Sequence, residues 1–469
     1  MADAFPAYHL PALPAPRTES RESVRGPHRT LLAHPVLDPE EISAQAAALV
    51  AAGEELRATR STGEMVALID GVARRFLDPR DPLRHEAAKH LPALTGYSPE
   101  MVAAVLEGMA REWTSGALER LLAAELPDRD VLYDFSPRAG VPGLTRAFPP
   151  RLVTHVFSGN VPGVAVTSLV RALLLRAPSL GKTAATEPVV PVLFARAVAE
   201  ADPLAGRALA VAWWSGADRE RTGASLRKAE AVVAYGSSET VERVREASSP
   251  HARFLGYGHR VSFGIVTREV TDGEAPGLAR EAARDVALFD QQGCVSPHLY
   301  YVEEGGDVDA AAWSRLLADA LARVEERLPR GALDPGESAM IRELRTEAEF
   351  GDLADRGGAV HASAEGTAWT VLLDPDPGFA ASCLNRVVRV KPIASMKALR
   401  ERTAPLRHLL QTVGVAGSPE RRRAIAGWLG EMGASRIVPF GKMAWPPSTW
   451  HHDGRPPLTE LLRWCDLEG

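Results

Sequence analysis

Cysteine and long apolar runs are among the scarcest features of this 469-residue chain. Its three cysteines, Cys294, Cys383 and Cys465, are too few and too scattered for a disulfide framework or a zinc cluster. We therefore expect a reducing, cytoplasmic compartment and no metal site. The best candidate for a membrane span, Val161–Leu180, is interrupted by two arginines, so we expect no membrane span. A basic segment followed by an apolar one is missing near residue 1, so we expect no secretion signal.

An excess of positive charge is also missing. The 54 basic and 60 acidic residues give a net charge of −6, which argues against sequence-independent binding to nucleic acid or anionic lipid. Hydrophobic residues make up 45% and charged residues 24% of the chain, as in ordinary globular proteins. This composition excludes collagen, a coiled coil and wholesale disorder. At roughly 150 residues per domain, the length predicts about three structural units.

The pattern along the chain predicts four parts. Residues 1–35 are rich in proline and predict an extended arm, partly disordered or lying over another surface. Residues 36–267 predict a helical N-terminal part followed by a Rossmann-like dinucleotide-binding domain. Residues 268–430 predict a second α/β domain with the candidate nucleophile, and residues 431–469 a C-terminal segment that returns to the core.

Short apolar segments alternate with helical segments after residue 151. The predicted strands of the first α/β part are 152–157, 173–175, 208–214 and 231–235. Such alternation indicates a doubly wound, largely parallel sheet, whose loops at the strand ends are natural nucleotide-binding places. Further strands at 299–302, 387–390 and 436–439, with a helix over about 308–328, predict the second α/β part.

Two short motifs resemble known binding sites, but each lacks a feature that such a site requires. Gly181-Lys182-Thr183 resembles the end of a phosphate-binding P-loop, but the required glycine five positions before Gly181 is Arg176. His451-His452-Asp453 contains metal-ligand residue types, but adjacent histidines on an extended segment point to opposite sides. We therefore interpret this second motif as a polar surface turn. A Gly-x-Ser-x-Gly nucleophile elbow does not occur, which argues against a serine hydrolase.

Cys294 is the candidate nucleophile. It follows a glycine in a loop between a predicted helix and a predicted strand, where backbone N–H groups could stabilise a thiolate. Most loop cysteines are inert, so position alone does not make this one catalytic. His259 and His298 are alternative proton partners, and their spacing from Cys294 does not choose between them.

Four motifs between about residues 150 and 305 have the order and spacing of the aldehyde dehydrogenase superfamily, which this chain resembles. The resemblance implies that Cys294, in Gln292-Gly293-Cys294, is the nucleophile, and that the Asn160 amide, in Asn160-Val161-Pro162, helps to form an oxyanion hole. In the superfamily, one strand ends in a lysine that faces the adenosine ribose. The resemblance implies that the predicted strand ending at Arg176 corresponds to that strand. The cofactor-binding residues expected in this way are Arg176, Ser179, Gly236, Ser237, Gly256 and Gly258.

A closer resemblance is to the LuxC-type long-chain acyl-CoA reductases, over roughly residues 150–465. The shared segments are Phe254–Arg260, Asp290–His298, Leu384–Val387 and Arg436–Asp453. The resemblance implies an α/β, aldehyde dehydrogenase-like fold, with a doubly wound Rossmann-like cofactor domain and a second α/β catalytic domain.

Two departures from ordinary aldehyde dehydrogenases are informative. Those enzymes carry a glutamate that activates water to hydrolyse the acyl-enzyme, and we expect Phe254 in its place here. A second glutamate, which holds the nicotinamide ribose, would fall near Leu384-Asn385 and is also missing. Without a water-activating carboxylate, a cysteine thioester should survive long enough to be formed from, or passed to, another thiol. This favours reduction of thioesters over oxidation of aldehydes.

The function implied by the resemblance is reduction of a long-chain fatty acyl thioester to the aldehyde through a Cys294 acyl-enzyme. NAD-preferring members of the superfamily carry an acidic residue three positions after the ribose-facing lysine. With Arg176 at the strand end and Ser179 three positions later, we expect NADPH as cofactor, with NADH as the alternative.

The resemblance also names partners and leaves alternatives open. The acyl donor is a fatty acyl-CoA or an acyl-carrier thioester, with an acyl-protein synthetase as a candidate partner, and we expect a homo-oligomer. One alternative is a CoA-acylating aldehyde dehydrogenase that acts on shorter aldehydes. A second is a cofactor-independent cysteine acyltransferase, and a third is a catalytically silent nucleotide-binding scaffold.

Overall fold

The computed structural model of the chain describes residues 4–350 and 355–468. Its helices are α1 (Pro39–Thr59), α2 (Thr62–Leu77), α3 (Pro82–Thr95), α4 (Pro99–Arg111), α5 (Ser115–Glu125), α6 (Val164–Leu174), α7 (Val189–Ala201), α8 (Pro203–Arg207), α9 (Arg219–Leu226), α10 (Ser238–Ala247), α11 (Ala275–Ala287), α12 (Ala310–Glu325), α13 (Pro335–Phe350), α14 (Met396–Thr403) and α15 (Pro419–Glu431). Within these residues, no helix is both long enough and apolar enough to cross a bilayer.

The strands form four sheets. They are β1 (Phe5–Pro6), β2 (Thr18–Arg25), β3 (His28–Pro35), β4 (Ser136–Arg138), β5 (Val141–Phe148), β6 (Val153–Val156), β7 (Ser179–Thr183), β8 (Leu209–Trp213), β9 (Ala231–Tyr235), β10 (Arg253–Tyr257), β11 (Val261–Val266), β12 (Pro297–Glu303), β13 (Ala359–Ala362), β14 (Thr370–Leu373), β15 (Val387–Ile393), β16 (Leu410–Ala416), β17 (Arg436–Val438) and β18 (Arg463–Leu467). Two small sheets have the orders β1-β3-β2 and β18-β5-β4.

The two larger sheets confirm the predicted α/β fold. The first sheet has the order β10-β9-β6-β7-β8 and is parallel throughout. Its strand order reverses between β6 and β9, and doubly wound folds bind ligands outside the carboxyl ends of the strands at such a point. The second sheet has the order β13-β14-β15-β12-β11-β16-β17 and is parallel except at β13.

Sheet membership corrects the predicted boundaries. β11 belongs to the second sheet, so the change of domain lies near residues 258–260 and not at 267. β17 also belongs to the second sheet, so the returning segment begins after Val438 and not at 431. That segment does return to the first half of the chain, because β18 pairs with β5.

The proline-rich start of the chain is more ordered than predicted. It lies over another surface, as expected, since His9 bridges to Val211 of β8. However, β2 and β3 form an antiparallel hairpin, and β1 pairs with β3 in parallel. A hairpin escaped prediction because β2 is almost wholly exposed and lacks the apolar alternation of a half-buried strand.

The predicted strand at residues 173–175 is wrong. Leu173 and Leu174 end helix α6, and the strand that pairs beside β6 is β7, four residues later. A short, buried apolar run does not distinguish a strand from the end of a buried helix. The true strand, Ser-Leu-Gly-Lys-Thr, has too few apolar residues to be recognised, and the P-loop-like motif Gly181-Lys182-Thr183 lies within it.

Candidate active site

Cys294 lies where the two large sheets meet. It lies three residues before the start of β12, and its carbonyl oxygen accepts a hydrogen bond of 2.8 Å from the Ser262 hydroxyl at the start of β11. Asn160 follows β6 at the carboxyl edge of the first sheet, and its Nδ2 donates to the carbonyl oxygen of Gln292 at 2.9 Å. The structure therefore brings together the predicted nucleophile and the predicted oxyanion donor. Nδ2 carries a second hydrogen that can point to a ligand.

The loop before Cys294 has an unusual backbone. Phe289, Asp290 and Gln291 have φ values of 60°, 46° and 66°, in the left-handed region that costs a non-glycine residue free energy. A second run over Leu384–Arg386 has φ values of 66°, 54° and 62°. The amide of Asn385 donates to the carbonyl oxygen of Asp290 at 3.1 Å, which joins the two runs.

Buried side chains hold these two left-handed runs together. Arg386, 1% exposed, donates from Nε to Asp290 Oδ1 at 2.9 Å and from Nη1 to Glu325 at 2.7 Å. Asp290 Oδ2 accepts from the amide of Gly331 at 3.1 Å. Because this carboxylate has a guanidinium and an amide as partners, removing the guanidinium would leave a buried charge without its counter-ion.

Tyr97, which sequence reasoning missed, connects the nucleophile loop to the Asn160 turn. Its buried hydroxyl lies 2.9 Å from the carbonyl oxygen of Asn160 and 3.1 Å from that of Phe289. Met101, in the stripe on α4 that the sequence predicts as core, accepts the Phe289 amide on its sulfur at 3.3 Å. Helix α4 and the residues just before it therefore contact the loop that leads to Cys294.

The environment of the Cys294 thiol favours its neutral form. The residue is accessible to solvent, yet the surrounding protein raises the pKa of the thiol to about 12 by burial, and the Asp453 carboxylate adds to this rise. A hydrogen bond from Gln411 and the positive charge of Arg260 act in the opposite direction. The resting form is therefore a thiol, so the predicted stabilisation of a thiolate by backbone N–H groups is not dominant.

The two predicted histidine partners have different surroundings. His298 is buried, its Nδ1 accepts the amide of Ser382 at 3.1 Å, and burial lowers its pKa to about 4. The charge that acts on His298 is that of exposed His259, whereas the charges that act on the Cys294 thiol are those of Asp453 and Arg260. The structure gives neither histidine a hydrogen bond to the sulfur among the residues that it describes.

The His451-His452-Asp453 segment is a turn, and only its first residue, His451, is exposed. The side chains of His452 and Asp453 are 13% and 3% exposed, against the prediction of a polar surface turn. His452 stacks between Trp450 and Tyr257, with ring centroids 4.6 and 4.2 Å away. The C-terminal segment that contains this turn is among the segments that resemble the LuxC-type reductases, and this resemblance was the available indication that the turn matters. The spacing of residues within the turn could not show that it faces inward.

Three of the predicted cofactor residues lie at the carboxyl edge of the first sheet. Gly236 follows β9 with a φ of 157°, and Ser237 caps the N-terminus of α10 through the amide of Thr240. Gly258 follows β10, beside the same helix start. Gly256 lies within β10, where a Cβ atom would come within 2.5 Å of Val241, so its role in the fold is close helix packing.

Arg176 and Ser179 lie at the wrong end of their strand for the predicted cofactor contact. Arg176 precedes β7, is 2% exposed, and donates to the carbonyl oxygen of Leu132 at 3.0 Å. Ser179 is the first residue of β7 and lies 3.1 Å from the buried ring of His155. Lys182 lies near the carboxyl end of the same strand. In the sequence it was considered only as part of the P-loop-like motif, which was rejected.

Lys182 is the last but one residue of β7 and is buried. Its ammonium lies 5.9 Å from the ring of Trp214, and burial lowers its pKa to about 8. The residue three positions later is exposed Ala185. The predicted end of this strand, Arg176, is therefore six residues before Lys182.

Phe254 does not occupy the place of the water-activating glutamate, contrary to the expectation from the sequence. Phe254 is the second residue of β10, and the Arg245 guanidinium lies 4.4 Å from its ring, so it is far from the carboxyl edge. Tyr257 ends the strand and stacks on Tyr235 at 4.8 Å. Asn385, where the ribose-holding glutamate was expected, accepts a hydrogen bond from Gln292 at 3.0 Å instead.

With the geometry established, comparisons with known proteins identify the family. Residues 58–464 match the family described as acyl-CoA reductase (LuxC). The chain belongs to this family. A long-chain acyl-protein thioester reductase of Aliivibrio fischeri is 25% identical over 422 residues, covering 88% of this chain and 83% of that protein. Long-chain acyl-protein thioester reductase 2 of Photobacterium leiognathi is 26% identical over 385 residues, covering 80% and 75%.

Solved aldehyde dehydrogenases share the fold. Aldehyde dehydrogenase 21 of Physcomitrella patens has a TM-score of 0.74 at 13% identity, covering 97% of this chain and 95% of that one. Indole-3-acetaldehyde dehydrogenase of P. syringae, in complex with NAD⁺, has a TM-score of 0.72 at 14% identity, covering 96% and 94%. This acyl-CoA reductase family member is an oxidoreductase that acts on acyl or aldehyde groups.

The buried ion pair of the nucleophile loop yields a stability prediction. Arg386→Ala should lower the free energy of unfolding by about 3–5 kcal/mol, because it leaves the buried Asp290 carboxylate without its counter-ion. Urea denaturation followed by tryptophan fluorescence measures the change. Arg400→Ala is the matched control, since its ion pair with Glu431 is exposed and should matter little. Equal shifts in the two variants would contradict the role given to Arg386.

Proposed function

We propose that this enzyme reduces a fatty acyl thioester to the aldehyde, with NADPH as hydride donor and Cys294 as the acyl-carrying nucleophile. The observation that carries the proposal is the hydrogen bond from Asn160 to the carbonyl oxygen of Gln292, two residues before Cys294. It holds an amide donor and a thiol at one cleft, the arrangement that acyl transfer to cysteine needs. The names of the relatives, long-chain acyl-protein thioester reductases, support a long-chain acyl group.

The residues at the carboxyl edge of the first sheet fit a dinucleotide. The N-terminus of α10, with Gly236 and Ser237 before it, offers free backbone N–H groups to a pyrophosphate. Lys182 can reach a ribose from the end of β7. Two of the solved relatives by fold are complexes with NAD⁺ or with NAP. When bound, the nicotinamide supplies the hydride that reduces the acyl carbon.

The chain's own residues perform the acyl transfer. The sulfur of Cys294 forms a bond to the thioester carbonyl carbon, the bond to the carrier sulfur breaks, and the thiol proton leaves with the carrier thiol. The second Nδ2 hydrogen of Asn160 stabilises the oxygen that becomes negative. After hydride arrives, the carbon–sulfur bond breaks, the aldehyde leaves, and the Cys294 sulfur takes up a proton from solvent, which restores the thiol.

The acyl donor and chain length are tested together. NADPH oxidation is followed with acyl-CoA substrates of graded length, while the aldehyde is trapped as it forms. Preference for long chains supports the proposal over a CoA-acylating aldehyde dehydrogenase of short aldehydes. Acyl transfer between thiols without any nicotinamide oxidation would favour the cofactor-independent acyltransferase. Parallel reactions with acyl-carrier thioesters show whether CoA or a carrier protein is the better donor.

A first prediction for this function concerns the nucleophile. Cys294→Ala should abolish thioester reduction, because the proposed mechanism carries the acyl chain on the Cys294 sulfur. Cys383→Ala and Cys465→Ala should keep most of the activity. Labelled acyl-CoA without cofactor should leave a label on Cys294 that hydroxylamine removes. Reduction that survives in Cys294→Ala would contradict the mechanism.

A second prediction concerns the oxyanion. Asn160→Ala should lower kcat about a hundredfold or more, since the lost amide acts mainly where negative charge develops. Steady-state kinetics should show no comparable change in the KM for the cofactor. If only the KM for the cofactor rises, Asn160 serves ground-state binding instead.

A third prediction concerns the choice of cofactor. Ala185 stands three positions after Lys182, where a carboxylate would repel the 2′-phosphate of NADPH and accept hydrogen bonds from the ribose of NADH. Ala185→Glu should therefore shift the ratio of kcat/KM values towards NADH by tenfold or more. Ala247→Glu, at the exposed far end of α10, is the control. A ratio unchanged in Ala185→Glu would show that this position does not face the phosphate.

A further inference from the structure

The C-terminal turn places a buried carboxylate in the active site. Asp453 accepts hydrogen bonds on Oδ2 from Arg260, at 2.9 Å from Nε and 2.7 Å from Nη2. Its Oδ1 accepts a hydrogen bond of 2.9 Å from Nε2 of Gln411. Burying a carboxylate, here only 3% exposed, costs desolvation free energy. The three hydrogen bonds compensate for this cost and hold the carboxylate in one orientation.

Backbone and side-chain hydrogen bonds connect this arrangement to Cys294. The Ser262 hydroxyl donates to the carbonyl oxygen of Cys294 and accepts the amide of Thr412 at 3.1 Å. Arg260 lies two residues before Ser262, and Gln411 directly precedes Thr412. The starts of β11 and β16 therefore carry both the support of the Cys294 backbone and the partners of Asp453.

Gln411 is the group through which Asp453 can act on the sulfur. It is 1% exposed, and its Oε1 is buried without a hydrogen-bond partner among the residues that the structure describes. A carboxylate cannot donate, so Asp453 fixes which end of the carboxamide faces it. Two hydrogen-bonding groups of the Gln411 carboxamide then remain for the sulfur. Its Oε1 can accept a hydrogen bond from a thiol, and the second hydrogen on Nε2 can be donated to a thiolate.

Other charged and titratable groups near the thiol are few. Besides Asp453 and Arg260, Tyr235 interacts electrostatically with Cys294, and it is buried under the ring of Tyr257. His452 is stacked on Tyr257, and burial lowers its pKa to about 4, so it is uncharged at neutral pH. Arg171 acts on the two tyrosines and on His452, and Arg455 acts on Tyr257 and His452.

We propose that Asp453 is a positioning residue for Cys294: its carboxylate, held by Arg260, orients the Gln411 carboxamide against the sulfur and places a negative charge beside the thiol. The proposal rests on the proposed function in taking Cys294 as the nucleophile. Its consequence is a thiol that stays protonated, and therefore unreactive to adventitious electrophiles, until an acyl thioester is bound.

Alkylation of Cys294 by iodoacetamide tests this role without any acyl substrate. The rate is measured between pH 7 and 9.5 from the mass of the Cys294 peptide in the full-length chain. Asp453→Asn keeps an acceptor for Gln411 but removes the charge, so alkylation should be about tenfold faster at each pH, as expected for a fall of about one pKa unit. Arg260→Gln removes the opposing positive charge and should slow alkylation.

Asp466→Asn is the matched control. Asp466 is a carboxylate of the same C-terminal segment, but it accepts from the Thr145 hydroxyl in the β18-β5-β4 sheet, so alkylation should keep the wild-type rate. Thermal unfolding of each variant checks that the fold is intact. A wild-type rate in Asp453→Asn, or changes of the same sign in Asp453→Asn and Arg260→Gln, would overturn the proposal.

A second measurement tests the orientation of Gln411. Gln411→Leu keeps the volume but removes both polar atoms, and it should slow the transfer of an acyl group from acyl-CoA to Cys294 by at least tenfold in a single turnover. Equal rates in Gln411→Leu and wild type would overturn this part. If wild-type Cys294 takes no acyl group at all, the proposed function fails, whereas the alkylation rates still decide the role of Asp453.

Discussion

The buried ion pair between Arg386 and Asp290 is the interaction on which the geometry of the site depends. It joins two backbone segments that each have three successive residues in the left-handed region, which chains of L-residues avoid. Such segments persist only where their surroundings over-determine them. Here a guanidinium, a backbone amide and the hydroxyl of Tyr97 all act on the loop that leads to Cys294. The free energy stored in that loop is offset by the packing of the rest of the molecule.

The cleft itself follows from the topology of two parallel sheets. The carboxyl ends of β6 and β9 face the amino ends of β11 and β12, so each sheet contributes one half of the chemistry. The first sheet supplies Asn160 and the start of α10, and the second supplies Cys294. Helix α4 contacts both halves, because Met101 accepts from the nucleophile loop and the Met109 side chain packs against Gly163 in the Asn160 turn. A change in the N-terminal helices can therefore affect the alignment of nucleophile and oxyanion donor.

The electrostatics of the nucleophile differ from those of a cysteine that is activated at rest. Activated thiolates depend on nearby cations or helix N-termini, whereas the pKa of the Cys294 thiol is raised by the surrounding protein and by the charge of the Asp453 carboxylate. A neutral resting thiol suits the proposed function, in which Cys294 reacts only once an acyl thioester is bound. The turn at residues 452–455 supplies that carboxylate from a part of the chain more than 150 residues away.

The sequence by itself determined the α/β class and most strands of the first sheet, and it singled out Cys294 and Asn160, which the structure places at one cleft. Those features depend on local apolar periodicity and on motifs whose residues are neighbours in the chain, so β6, β8 and β9 were predicted within one or two residues. Only the tertiary structure decided that the strand beside β6 runs from Ser179 to Thr183 and does not end at Arg176. A buried helix end and a buried strand have the same apolar composition, and pairing with β6 alone distinguishes them. It likewise decided that the Asp453 carboxylate is buried against Arg260 and Gln411, since no local pattern reports which way a distant turn points.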